Sequence, residues 1–235
     1  MIANLALTNY RHLFYHIPPM LAIAGYLNYP QNLRLQPTIL HIFSVAHNTG
    51  LIIFSGWTFL SLCKILYDNG IVFQPNYYFS ISTFDNIIFY FYLSKYYEFF
   101  DTFLIYLKGK KPVFLQTYHH IGAVISWHLS YVYKIEGVWI PSLVNSFVHT
   151  VMYSYYLGYL LKIKQVQFMK KYITSLQLFQ LVVPNIFGLY YYRYTEVPFK
   201  YNIVLILELY IIGLILLFGR FFYNNYITLS EKKGV

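Results

Sequence analysis

Seven apolar stretches follow one another through the chain, at residues 17–29, 39–65, 81–107, 113–133, 138–161, 168–192 and 201–223. A helix of about 20 residues crosses a hydrocarbon layer of roughly 30 Å, and the last six stretches reach that length. The first is shorter and carries Pro18 and Pro19, which predicts an abbreviated or tilted span. Composition agrees: 58% of residues are hydrophobic, 22% aromatic and only 11% charged. A soluble domain of 235 residues cannot hide so much apolar surface. The expected fold is therefore an all-α, polytopic membrane helix bundle of about seven transmembrane helices, in a single domain over residues 1–235.

The net charge of +9 does not indicate nucleic acid, because the basic residues sit in short loops and not along one helix face. With the N-terminus outside, eleven basic residues fall on the cytosolic side: Arg34, Lys108, Lys110, Lys111, Lys162, Lys164, Lys170, Lys171, Arg220, Lys232 and Lys233. Five fall opposite, at Arg11, Lys64, Lys134, Arg193 and Lys200. The positive-inside rule favours this orientation and a cytosolic C-terminus. The end, Lys232-Lys233-Gly234-Val235, has the form of a dilysine retrieval signal for the endoplasmic reticulum. The first ten residues lack the basic start and small-residue cleavage site of a secretory signal. Cys63 is alone, which excludes an intramolecular disulfide framework and a thiolate metal cluster.

Segment 93–120 concentrates the proton-handling groups. Two apolar-aromatic runs meet at the basic hinge 108–112, with Lys95, Glu98, Asp101 and Thr102 on one side and Gln116, His119 and His120 on the other. On helices, Lys95, Glu98 and Thr102 share a face, and Gln116 lies one turn below the histidine pair. Pro112 suits the first turn of a helix. Ionisable groups inside spans are costly, so they face the bundle interior and pair with one another, which predicts a site between helices. A neutral imidazole in a desolvated cavity is a competent nucleophile or base. His119 and His120 point about 100° apart and so have different parts.

Further along, Asn145, His149, Tyr153 and Tyr156 recur at helical spacing, where Asn145 can fix the His149 tautomer. Thr174, Gln177 and Gln180 step by three on the sixth long stretch and can hold a polar head or glue helices together. Pro184 should kink that span. The rim lysines Lys108, Lys110, Lys111, Lys170 and Lys171 suit a phosphorylated carrier, and membrane topology alone also requires them. A di-iron site needs about three histidine clusters. His12 and His16 make one HxxxH, no third box exists, and Gln116 is a poor metal ligand. A non-catalytic seven-span transporter or receptor and a di-iron desaturase or hydroxylase stand as alternatives on spacing alone.

The assembled motifs resemble those of the ELO family of very-long-chain fatty acid elongases. Lys95-Tyr-Tyr-Glu98-Phe-Phe-Asp101-Thr102 matches KxxExxDT, and Gln116-Thr-Tyr-His119-His120 matches HxxHH except at its first residue. His149 to Tyr156 matches HxxMYxYY, Thr174 to Gln180 matches TxxQxxQ, and His47-Asn48 also fits. Gln116, with Phe114-Leu115 before it, Glu136-Gly-Val-Trp139 and Asn145-Ser-Phe147, is similar to the polyunsaturated, Δ9-type elongases with a QxxHH box.

The resemblance implies a 3-ketoacyl-CoA synthase that condenses a long acyl-CoA, of the polyunsaturated C18 class, with malonyl-CoA and releases CO2 and CoA. In family terms His119 attacks the thioester, His149 assists the enolate, Asn145 orients His149, and Glu98 and Asp101 orient the histidines while Lys95 balances their charge. Six helices would enclose an acyl tunnel, with Lys95, Thr102, Gln116, Tyr153, Tyr156, Thr174, Gln177 and Gln180 on the substrate and the lysines on CoA phosphates. No cofactor or metal is expected. The implied partners are the membrane, a ketoacyl reductase, a dehydratase and an enoyl reductase, and a second copy in a homodimer.

Overall fold

A computed structural model describes residues 2–30, 33–166, 168–195 and 200–228, with the side chains of residues 2–14 and 195 outside the description. The dilysine tail and the side chains of Arg11 and His12 fall outside it. Among the described residues the helices are α1 (Ile2–Leu27), α2 (Pro37–Asn69), α3 (Ser82–Tyr97), α4 (Phe99–Leu107), α5 (Phe114–Val132), α6 (Trp139–Leu160), α7 (Met169–Thr195) and α8 (Tyr201–Phe222).

Most ends lie within a few residues of the apolar stretches. α1 differs, beginning at Ile2 and running for 26 residues. Its first half carries Asn4, Thr8, Asn9, Arg11 and His12, polar enough to hide from hydropathy a helix that the chain nevertheless forms. The third stretch is two helices, α3 and α4, which meet at Glu98. Pro112 stands before the N-cap Val113 of α5 and not within its first turn.

Three helical segments, Pro37–Asn69, Met169–Tyr194 and Tyr201–Ile227, are long and apolar enough to cross a membrane by length and composition. The surface is what a lipid environment selects: Ile42, Ile53, Leu60, Leu205, Leu209 and Leu216 are exposed. Lys95, Glu98, Thr102, Glu136 and His47 are buried. This inversion of the soluble pattern marks a multi-pass helical bundle.

The most extensive helix contact joins α2 to α6, and α7 and α8 close the bundle beside α6 and α5. At one end Leu62, Phe84, Ile88, Trp139 and Tyr191 form an apolar core around Tyr78. There the Glu136 carboxylate accepts the backbone N–H groups of Tyr78 and Phe79 at 3.2 and 3.3 Å, anchoring the α2–α3 connection. Lys134, left-handed at φ 49, pairs with Asp85, and its carbonyl accepts the Lys200 ammonium at 2.7 Å. The ends of α3, α5 and α8 are thus tied on one side.

At the other end α4 stops at a Schellman turn. Gly109 takes φ 76, its N–H bonds the Tyr106 carbonyl, and the Lys110 N–H reaches Ile105 at 3.1 Å. Arg34 donates to the same Tyr106 carbonyl at 3.1 Å. These contacts fix the hinge from which α5 departs.

Candidate active site

Between these ends lies a cavity of about 530 Å³, walled by α4, α5, α6, α7 and α8. Glu98, Asp101, Gln116, His119, His120 and His149 line it, and Lys108 and Lys170 stand on its wall at the hinge end. Partial burial, then repulsion from Lys110, lowers the Lys108 pKa below the ordinary lysine value. A bound polyanion would recover that cost. Lys108, Lys110 and Lys111 are all exposed on the turn, but Lys110 and Lys111 lie outside the cavity wall, so only Lys108 of the three expected hinge lysines reaches it.

The α3–α4 junction explains how an acid and a base come to rest inside the bundle. Helical bonding tightens at Glu98, where the Asp101 N–H returns to the Glu98 carbonyl three residues back at 3.1 Å. Lys95, on the last turn of α3, donates to Glu98 Oε1 at 2.7 Å and to Asn145 Oδ1 on α6 at 2.9 Å. Its ammonium also sits 4.0 Å over the Phe91 ring. Because Lys95 claims the Asn145 oxygen, the amide nitrogen faces His149 and donates to its Nε2 at 3.1 Å. Nδ1 then carries the His149 proton and points at Glu98 Oε1, 3.5 Å away. Both ring nitrogens of His149 are occupied.

Asp101 departs from its expected role. Its Oδ1 accepts from His47 Nε2 at 2.9 Å, and its Oδ2 accepts from Tyr153 OH at 2.6 Å. One turn past Glu98, it turns toward α2 and α6 and away from α5, so it braces His47 and Tyr153 rather than the paired histidines. His47 is a site residue to which the sequence assigned no role; its trace was the His47-Asn48 pair that also fits the family motifs. The cavity wall includes Asn48.

On α5, Gln116 donates to Thr102 Oγ1 at 3.2 Å, and Tyr26 reaches the same hydroxyl at 3.0 Å. Both side chains of the predicted Gln116 and Thr102 therefore bridge α4 and α5. His120 is buried, and its Nδ1 has no hydrogen-bond partner. His119 meets Tyr210 of α8: the Tyr210 hydroxyl donates to the His119 carbonyl at 3.0 Å, and His119 Nδ1 lies 3.3 Å from the same oxygen. With the tyrosine proton committed to the carbonyl, Nδ1–H of His119 is the donor and Nε2 keeps its lone pair. Tyr210 was invisible among 28 tyrosines.

The contact is close because α5 and α8 exchange tyrosines for glycines. The Tyr210 ring occupies the space a Cβ on Gly122 would fill, and the Tyr118 hydroxyl does the same at Gly213. On the opposite wall, Thr174 bonds back to the Lys170 carbonyl at 3.1 Å, and Gln177 Nε2 contacts Met152 Sδ at 3.1 Å. Thr174, Gln177, Gln180, Tyr153 and Tyr156 all line the cavity. The arrangement offers one imidazole lone pair, one imidazole locked in a single tautomer, a paired cation and anion, and a space long enough for an extended ligand.

The model of the ELO: GNS1/SUR4 family matches residues 5–234. Fatty acid elongase sre1 of Dictyostelium discoideum is 36% identical over 154 residues, covering 62% of this chain and 55% of that protein. Putative fatty acid elongase 3 of Caenorhabditis elegans is 35% identical over 147 residues, 60% of this chain and 45% of that protein. Very long chain fatty acid elongase 3 of Mus musculus is 31% identical over 185 residues, 75% and 66% respectively. The chain spans about half the length of the first two relatives. No solved structure matches. With a family match across almost its whole length and a polytopic helical bundle around the motif residues, the chain belongs to the ELO, GNS1/SUR4, family.

Proposed function

We propose that the chain is the condensing enzyme of fatty acid elongation, a very-long-chain 3-oxoacyl-CoA synthase. A long acyl-CoA and malonyl-CoA give a 3-ketoacyl-CoA two carbons longer, with CO2 and CoA. The observation that carries this reading is the free Nε2 lone pair of His119, held in one tautomer by Tyr210 and opening on the same cavity as His149. Nε2 attacks the thioester carbonyl, the C–S bond breaks, and the CoA thiolate leaves and takes up a proton. The acyl group rests on the imidazole. Malonyl-CoA then enters and its C–CO2 bond breaks. The electron pair becomes an enolate that attacks the acyl carbon and expels His119.

Each other group has a part. Lys95 and Glu98 hold Asn145 and His149 where charge develops on the malonyl thioester carbonyl. Lys108 and Lys170 stand where CoA phosphates would lie. The apolar walls keep water from the acyl-imidazole and the enolate. Covalent transfer divides one difficult condensation into two easier steps.

The Gln116-led box supports a polyunsaturated C18 substrate, and the basic bias of the loops supports an endoplasmic-reticulum membrane with the C-terminus in the cytosol. Completion of the cycle requires separate reductase and dehydratase proteins. The test uses purified protein, C16 to C20 saturated and unsaturated acyl-CoAs, and malonyl-CoA, with mass spectrometry of products and of the protein. A 3-ketoacyl-CoA longer by two carbons, and an acyl adduct on His119 when malonyl-CoA is withheld, are expected. Folded protein that yields neither across the panel would transfer the site to reversible ligand binding.

A further inference from the structure

A second cavity of about 130 Å³ adjoins the first, with Gln180 and Leu181 in the walls of both. It lies deeper in the bundle. Along α5, Ser126 and Ser130 of its wall stand seven and eleven residues beyond His119, a rise of about 10 and 16 Å. Along α8, Leu214 and Phe218 line the first cavity, and Leu207, Glu208 and Ile211 line the second. An extended chain attached at His119 and passing Gln180 enters it.

This deeper space is furnished with acceptors where a hydrocarbon tail would call for none. Glu208 is the sole acidic residue of α8, the span of highest hydropathy. The Asn185 amide of α7 lies within hydrogen-bonding reach of its carboxylate. At the junction, Gln180 Oε1 is buried without a hydrogen-bond partner. One turn later stands Pro184, which has no N–H to give to the Gln180 carbonyl. Ionisable and unmatched polar groups at membrane depth are expensive, and their usual justification is a ligand or a pathway.

We infer that the deeper cavity receives an acyl chain that carries a hydroxyl group in its distal half. The hydroxyl donates to Gln180 Oε1 or to the Glu208 carboxylate and accepts from Asn185. A plain methylene chain leaves Gln180 Oε1 unmatched and Glu208 with Asn185 alone, and a hydroxyl near the thioester cannot reach them. The inference rests on the elongase reading and narrows its substrate class to oxygenated chains.

The experiment places three C18 acyl-CoAs in one tube with full-length protein and malonyl-CoA: a plain saturated chain, its distal hydroxy isomer, and an isomer hydroxylated near the thioester. Liquid chromatography with fragmentation mass spectrometry, which separates the two isobaric hydroxy products, gives the ratios of kcat/KM from the three products. The distal hydroxy chain is expected to be preferred about tenfold over the plain chain, and the proximal isomer not at all. Glu208→Leu and, independently, Asn185→Leu should bring the preference close to one, while Glu208→Gln, which keeps the hydrogen bond, retains most of it. A ratio read within one tube does not depend on how much variant folds. Equal use of all three chains, or a preference unchanged in both leucine variants, overturns the inference and leaves the cavity a gap filled by water or lipid. No product from any chain, the plain one included, removes the elongase reading and this inference with it.

Discussion

His149 and His119 face one cavity from α6 and α5, yet they are held in opposite ways. His149 has a partner at each ring nitrogen, and those partners are themselves locked by Lys95. His119 is held at Nδ1 by one tyrosine. The first belongs to a buried network in which neither Lys95 nor Glu98 can be removed alone without stranding a charge. The second is a side chain with room to form a bond. A group held on both sides and a group proposed to react therefore differ in their hydrogen-bond inventories, even when both are histidines in the same apolar space.

The comparison is most severely tested at Glu98. Glu98→Ala leaves the Lys95 ammonium buried without its anion, a change that costs about 3–5 kcal/mol. Both thermal stability and condensation should collapse, measured by melting in detergent and by product mass. The double variant Lys95→Met/Glu98→Leu should recover stability without activity. His119→Ala should lower turnover on the order of 10⁴-fold while leaving the melting curve in place. If instead it melts as early as Glu98→Ala, His119 is part of the scaffold and the contrast fails.

Smaller effects sharpen it. Asp101→Asn weakens its links to His47 and Tyr153 and should cost about 1–3 kcal/mol of stability, with turnover reduced between tenfold and a hundredfold. In stability it should thus fall between Glu98→Ala and His119→Ala. Tyr210→Phe removes the hydroxyl that sets the His119 tautomer, a loss of about 0.5–1.5 kcal/mol. Turnover should drop by a few-fold up to about tenfold, with KM unchanged and melting lowered by no more than that loss.

The sequence made the bundle legible because hydropathy over 20-residue windows reports burial in lipid, which is a one-dimensional property. It failed at α1, whose first half is polar. The i, i+3 and i, i+4 arithmetic found Lys95 beside Glu98 and Asn145 beside His149, pairs that lie on one helix or end on its nearest neighbour. It could not tell which of two faces Asp101 would take, since a single tightened turn at Glu98 redirects it. Nor could it give His47 a partner, or find Tyr210 or Glu208. Each matters through a partner on a helix far away in the chain, and local spacing carries no record of such partners.

The two tyrosines seated in the glycine notches of α5 and α8 have a consequence for traffic. Helices interlocked at Gly122 and Gly213 cannot part or slide by a residue without unseating both rings. That seam is shut to the bilayer beside the histidine pair, so a long chain has no sideways door there. The second cavity runs past Pro184 and Gly188 of α7 and Leu207 and Ile211 of α8. A chain threaded to the depth of Glu208 would have to leave by a route other than that seam, and the order in which head and tail depart is written into where the seam is sewn.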